Sequence, residues 1–114
     1  MLVVRKIRLS ETDATGRIYF TNLFKFVTEA FEEFLKGKTY KIPIVSAKAT
    51  YLAPLFWNDE IHITLTLAKL GKSSFELHGC IEKEGKVIGR TEIVHVFIEG
   101  PIPSELRECL AELG

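Results

Sequence analysis

The run Ser10-Glu11-Thr12-Asp13-Ala14-Thr15-Gly16-Arg17-Ile18-Tyr19-Phe20-Thr21-Asn22 holds the residues best suited to chemistry. Two carboxylates, Glu11 and Asp13, occupy a polar segment that leads straight into an amphipathic stretch. Gly16, three residues after Asp13, lets backbone pass close to a ligand. A helix starting near Phe20 to Asn22 presents free N–H groups and the positive end of its dipole. A carbonyl oxygen docked there would be polarised, and an oxyanion would be stabilised. Asp13 could attack that carbonyl or activate a water. Those are the two requirements for hydrolysing a thioester, and they need neither metal nor cofactor. The same spacing also suits a plain turn in which Asp13 bonds its own loop backbone. The residues alone leave both readings open.

The elements that must hold this segment are legible on either side of it. Val3 to Leu9 alternates as a first strand, and Ser10 to Gly16 reads as a loop. Leu23, Phe24, Phe26, Val27, Ala30, Phe31, Phe34 and Leu35 recur at helical spacing, with Gly37 as a stop. This broad, phenylalanine-rich stripe requires a large apolar partner surface. Ile44–Leu55, Glu60–Leu70, Ser74–Lys83 and Lys86–Glu99 read as strands, joined by turns around Gly71 and Gly85. Pro54 ends or bulges the second strand, or marks an edge. Ser104 is placed to cap a short closing helix whose apolar face is Leu106, Cys109, Leu110 and Leu113. The order predicts an α+β fold, an antiparallel sheet of about five strands curled around one long central helix.

Composition narrows the partners. The 114 residues suit a single domain over positions 1–114. Lysine plus arginine balances aspartate plus glutamate at 15 each, so no net field draws nucleic acid or an anionic membrane. An anionic ligand would need a local basic patch. No apolar run reaches the length of a membrane span, and the charged residues Arg5, Lys6 and Arg8 disrupt any signal-peptide pattern. The chain reads as cytoplasmic, with Cys80 and Cys109 as reduced thiols. His62, His78 and His95 fall in different strands with no ligand spacing, so no metal site is expected.

The segment around Asp13 resembles the signature of the 4-hydroxybenzoyl-CoA thioesterase group of hot-dog proteins. That signature is Asp-x-x-Gly followed by a hydrophobic and aromatic helix start containing asparagine. Thr12-Asp13-Ala14-Thr15-Gly16-Arg17-Ile18-Tyr19-Phe20 follows it position by position. The likeness continues through Ile42–Ala47, Tyr51–Leu55, Asn58-Asp59, Lys72–Phe75, Arg90–Glu92 and His95–Phe97. It therefore spans nearly the whole chain in order. The resemblance implies a hot-dog fold and hydrolysis of an acyl- or aroyl-CoA. It assigns the catalytic carboxylate to Asp13 and the carbonyl-polarising N–H to Phe20. Ala14-Thr15 departs from the proline-alanine or alanine-alanine common before the glycine, which alters loop stiffness but removes no functional group. Ile42–Val45 with Ala53–Phe56 looks most like the branch that cleaves 1,4-dihydroxy-2-naphthoyl-CoA.

The resemblance further implies substrate contacts at Gly16 and Tyr19, and a coenzyme A nucleotide site near the turn of Lys72 and Ser73. That turn, with Lys69 nearby, reads equally as a solvated hairpin. Tyr19 and Phe20 either wall an acyl pocket or pack in the core. Trp57 reads as a packing residue at a turn, and Glu11 as a salt-bridging or solvated residue, with tuning of the Asp13 pKa as the functional alternative. Glu29 and Glu32 read as a polar helix face. A homo-oligomer, dimer or tetramer, is expected, because relatives share sites between subunits and one sheet leaves open edges. A non-catalytic acyl-CoA-binding or assembly module is the rival reading. A dehydratase is opposed by the absence of a helix histidine or a His–Glu pairing to move protons.

Overall fold

A computed structural model describes residues 1–114. Five strands, β1 (Leu2–Lys6), β2 (Ile44–Tyr51), β3 (Glu60–Leu70), β4 (Ser74–Lys83) and β5 (Lys86–Val96), form one antiparallel sheet in the order β1-β3-β4-β5-β2. Helix α1 (Asn22–Leu35) lies between β1 and β2 in sequence, and α2 (Ser104–Ala111) closes the chain. The bounds of β3 and β4 coincide with those the alternation predicts. β1 stops at Lys6 rather than Leu9, because Leu9–Glu11 tightens into a turn of 3-10 helix. β2 stops at Tyr51, three residues before Pro54, and it is also an edge strand. β5 stops at Val96. Ser104 is the first residue of α2 rather than its cap; Pro103 holds the cap position with no side-chain bond.

One face of the sheet receives α1. Ile61, Ile63 and Leu65 of β3, Phe75, Leu77 and Ile81 of β4, and Ile93 of β5 are buried with Leu23, Phe26, Val27, Ala30 and Phe31. Alternation along each strand delivers this face, because successive side chains point to opposite sides. Burial of this apolar surface is the main force holding helix to sheet. α1 has 14 residues and spans only about 21 Å at 1.5 Å per residue. It is not long in absolute terms. It ends as Lys36 and Gly37 both turn left-handed, with φ of 52° and 83°.

Two strand glycines set how closely α1 can approach. A Cβ on Gly79 would lie 2.5 Å from both Val27 Cγ2 and Thr91 Oγ1, and one on Gly89 would lie 2.9 Å from Leu23 Cδ1. Both glycines escaped the sequence reading. An isolated glycine in a strand pattern is nevertheless the signal for close backbone approach. The opposite face of the sheet is polar and carries His62, Thr64, Thr66, Glu76 and His78. β2 departs from alternation over its first five residues, with Ile44 through Lys48 all exposed.

Candidate active site

The Asp13 loop is a miniature hairpin. Thr12 pairs with Ile18, the Asp13 N–H donates to Arg17 O at 2.7 Å, and the Tyr19 N–H donates to Glu11 O at 3.3 Å. Its tip is Ala14-Thr15-Gly16. Gly16 has φ 83° and donates its N–H to Asp13 O at 3.0 Å. That left-handed conformation is the physical reason for glycine here. No other part of the chain would contact a Cβ on Gly16.

The Asp13 carboxylate is partly exposed. Its Oδ1 accepts the Thr15 N–H at 2.8 Å and the Thr15 hydroxyl at 2.6 Å. The turn predicted for Asp13 therefore exists, and it uses one oxygen only. Oδ2 receives no hydrogen bond from the chain. The Thr15 hydroxyl, then the Thr15 N–H, hold the Asp13 pKa below the ordinary 3.8, so the group is a carboxylate at neutral pH. Thr15 was not singled out from sequence. Its place two residues after an aspartate was the available signal.

Glu11, two residues earlier, is buried at 2% exposure. Arg5 Nη2 donates to both of its oxygens at 2.7 and 2.9 Å, the Arg8 N–H donates at 2.7 Å, and Lys25 Nζ at 2.9 Å. Burial pushes its pKa up, but the Arg8 N–H, Arg5 and Lys25 together outweigh burial and hold it below 4.5. Arg5 also bridges Glu29 at 2.9 Å and stacks over Phe26 at 4.5 Å. Of the roles open to Glu11, salt bridging is the one the geometry shows, and burial excludes solvation. The backbone carbonyl of Glu11 also accepts the Asn22 side-chain amide at 2.8 Å. Asn22 thus ties the helix start to the loop, a positioning role that sequence reading missed.

The entry into α1 is tightly wound. Asn22, Leu23 and Phe24 donate their N–H groups back to Tyr19, Phe20 and Thr21 at 2.9 to 3.1 Å. The N–H groups of Phe20 and Thr21 have no acceptor within the chain. Asn22, expected among the free donors, is not one of them. The Phe20 and Tyr19 side chains are 60% and 54% exposed, which rules out core packing for both within the chain. An Arg17–Phe56 bridge brings Phe56 and Trp57 beside this loop. Trp57 is 60% exposed, so it does not pack at its turn as expected.

Lys72 and Ser73 sit at the exposed tip between β3 and β4, far along the chain from the Asp13 loop. A depression of about 290 Å³ lies elsewhere, on the polar face of the sheet, lined by Lys48, Thr64, Thr66, His78, Arg90 and Glu92 among others. It is too polar for an acyl group and includes no residue of the Asp13 loop. His78 departs from expectation, while His95 is the satisfied strand histidine that the sequence suggests. His78 Nε2 lies 2.6 Å from Glu76 and 3.9 Å from Glu92, so sheet register builds a carboxylate cluster around it that spacing along one strand did not reveal. His95 is buried against Phe75 and Phe31 and bonds Ile42 O through Nδ1 at 2.8 Å. Burial pushes its pKa down, as for a satisfied core histidine.

A family model described as the thioesterase-like superfamily matches residues 7–110. The chain belongs to this superfamily. A 1,4-dihydroxy-2-naphthoyl-CoA hydrolase of Prochlorococcus marinus (strain NATL2A) is 36% identical, over 92% of this chain and 77% of the relative. A protein of the same name from Rippkaea orientalis (strain PCC 8801 / RF-1) is 34% identical, over 82% and 78%. Among solved structures, a gentisyl-coenzyme A thioesterase superposes with a TM-score of 0.89 at 30% identity, covering 97% of this chain and 99% of that one. The five-stranded antiparallel sheet with two helices is thus the hot-dog arrangement that the sequence resemblance implied. No helix is long and apolar enough to cross a membrane.

Proposed function

We propose that this chain is a thioester hydrolase that converts an acyl- or aroyl-CoA to the free acid and coenzyme A. One observation carries the reading. A single loop joins a carboxylate with one unbonded oxygen, Asp13, to the two unpaired N–H groups of Phe20 and Thr21 at a helix start. The Phe20 N–H polarises the thioester carbonyl, and the dipole of α1 favours the developing oxyanion. Asp13 either takes a proton from an attacking water or attacks the carbonyl carbon itself. In the first case the tetrahedral adduct expels the thiolate of coenzyme A, which is then protonated. In the second case an acyl–aspartyl anhydride forms, the thiolate leaves, and water cleaves the anhydride. Neither course requires a metal or cofactor.

Exposed Tyr19, Phe20, Phe56 and Trp57 around the loop favour an aromatic acyl group. The relatives' names point the same way, and 1,4-dihydroxy-2-naphthoyl-CoA is the first substrate to try. Gly16 and Tyr19 border the acyl end, while Lys72 and Ser73 take the nucleotide end. We take 1–114 as one domain in which the sheet curls around α1 as its central helix. The working form is a homo-oligomer, a dimer or tetramer, in the cytoplasm. The unpaired edge of β2, the exposed Ile44 and Val45 on it, and the open surface around Asp13 support assembly.

A panel of short, long and aromatic acyl-CoAs, followed by free-thiol release, tests the activity. Turnover is expected to be fastest on an aromatic ester. No turnover on any of them would leave the chain a non-catalytic hot-dog module. A single turnover in heavy-oxygen water separates the two courses. Label in the enzyme carboxylate marks the anhydride, and label confined to the product acid favours water attack. Sedimentation as a monomer at micromolar concentration would sink the oligomer.

A further inference from the structure

The turn between β3 and β4 is held from behind. Gly71 donates its N–H to Ser74 O at 2.8 Å, closing the hairpin. The carbonyls of the three tip residues are then all engaged by the C-terminal part of the chain. Lys72 O accepts the Ile102 N–H at 2.8 Å, and Ser73 O accepts the Phe97 N–H at 2.8 Å. Arg107, on the first turns of α2, donates Nη2 to Gly71 O at 2.7 Å and to Lys72 O at 3.2 Å. Arg107 is the one charged donor on the tip and the only partner of Gly71 O, so it adds a side-chain clamp to the two backbone ones. α2 itself is well anchored, because Leu106 and Leu110 are fully buried on the same helix.

The other backbone atoms of the tip are free. The N–H groups of Lys72 and Ser73 have no acceptor within the chain, and both side chains are exposed. Two successive unpaired N–H groups, an ammonium and a hydroxyl on one turn are the kind of donor set that a phosphate takes. A three-residue tip without side-chain packing of its own would lose that shape if its carbonyls were released. Ordering it at the moment of binding would then weaken affinity.

We propose that Arg107 is a positioning residue for the nucleotide end of the substrate: it fixes the Gly71–Ser73 turn so that Lys72, Ser73 and their N–H groups hold a phosphate of coenzyme A. This inference rests on the thioesterase reading for the identity of the ligand. Its own prediction is narrower. Arg107 acts on the phosphate-bearing part of the substrate and leaves the acyl chemistry alone.

The test compares Arg107→Ala with wild type in two assays on the full chain. In the first, free coenzyme A and pantetheine are titrated by calorimetry. Wild type should bind coenzyme A more tightly than pantetheine, and the variant should lose about ten- to a hundredfold of that preference. In the second, one acyl group is presented on coenzyme A and on pantetheine. The KM ratio between the two esters should collapse in the variant, while kcat on the coenzyme A ester stays within about twofold. A thermal melt checks that α2 remains docked, and Lys72→Ala, which leaves the clamp intact, should reproduce part of the loss. Wild type without preference for coenzyme A over pantetheine would overturn the phosphate site at the turn. A preserved preference in Arg107→Ala would overturn the role of Arg107. Thioester turnover that is absent while the calorimetric preference behaves as stated would instead overturn the hydrolase reading and leave the phosphate site standing.

Discussion

Glu11 and Asp13 lie two residues apart in one loop, yet their surroundings are opposite. Glu11 points into the protein and accepts from Arg5, the Arg8 N–H and Lys25, tying β1, the loop and α1 together. Asp13 sits on the outer half of the same loop and bonds only Thr15. One carboxylate is saturated and buried; the other keeps an oxygen free at the surface. The pair teaches that a loop can be rigid and reactive at once if different residues serve the two needs. Glu11 and Asn22 fix the backbone, so Asp13 need not be held by contacts that would occupy both of its oxygens.

The largest effect expected from breaking this division is kinetic. Asp13→Asn should lower kcat by about 10²- to 10⁴-fold, the range for removing a positioned acid–base group. The melting temperature and coenzyme A binding should hardly change. An active variant whose amide remains intact by mass spectrometry would refute the assignment.

Glu11→Ala should do the reverse. It removes the buried acceptor shared by Arg5, the Arg8 N–H and Lys25, leaves Arg5 with Glu29 alone, and should cost about 3 kcal/mol of stability by urea unfolding, the lower end for breaking a buried pair. The sign with pH follows from the lowered pKa of Glu11. Its contribution is fully present above the unfolded value near 4.5 and is lost as pH falls through the folded one. The gap between wild type and Glu11→Ala should therefore be widest at neutral pH and narrow below pH 4.5. A gap independent of pH would mean the carboxylate charge is not the stabilising feature.

The smallest effect belongs to Thr15. Thr15→Val removes the hydroxyl bond to Asp13 and keeps the N–H bond. The Asp13 pKa should rise toward its ordinary value, moving the acid limb of the kcat/KM profile to higher pH. Stability should change little, since the site is exposed. An unmoved acid limb would separate Asp13 from the group that titrates.

β3, β4 and α1 were legible because each buries one regular face, and periodicity records such a face directly. β2 was legible in existence but not in character. Ile44 through Lys48 are exposed because no other part of the chain covers either of their faces, and no pattern within the strand records that. The glycines at 79 and 89 were visible but silent until Val27 and Leu23 were seen over them. His78 looked isolated because Glu92 reaches it across a strand pairing, 14 positions away in sequence. Trp57 misled for a related reason: an indole usually signals packing, and here it is exposed within the chain.

By itself the sequence determined the element order, the single apolar face and the loop that carries Asp13, because local spacing and composition dictate them. The resemblance added a role for that loop. Only the tertiary structure decided which of the two carboxylates is free. That choice depends on where Arg5 and Lys25, from β1 and α1, place their charges around Glu11. Only the tertiary structure, likewise, put Arg107 of the last helix behind Gly71 and Lys72. Long-range hydrogen bonds of this kind join residues 36 positions apart, and no local pattern can encode them.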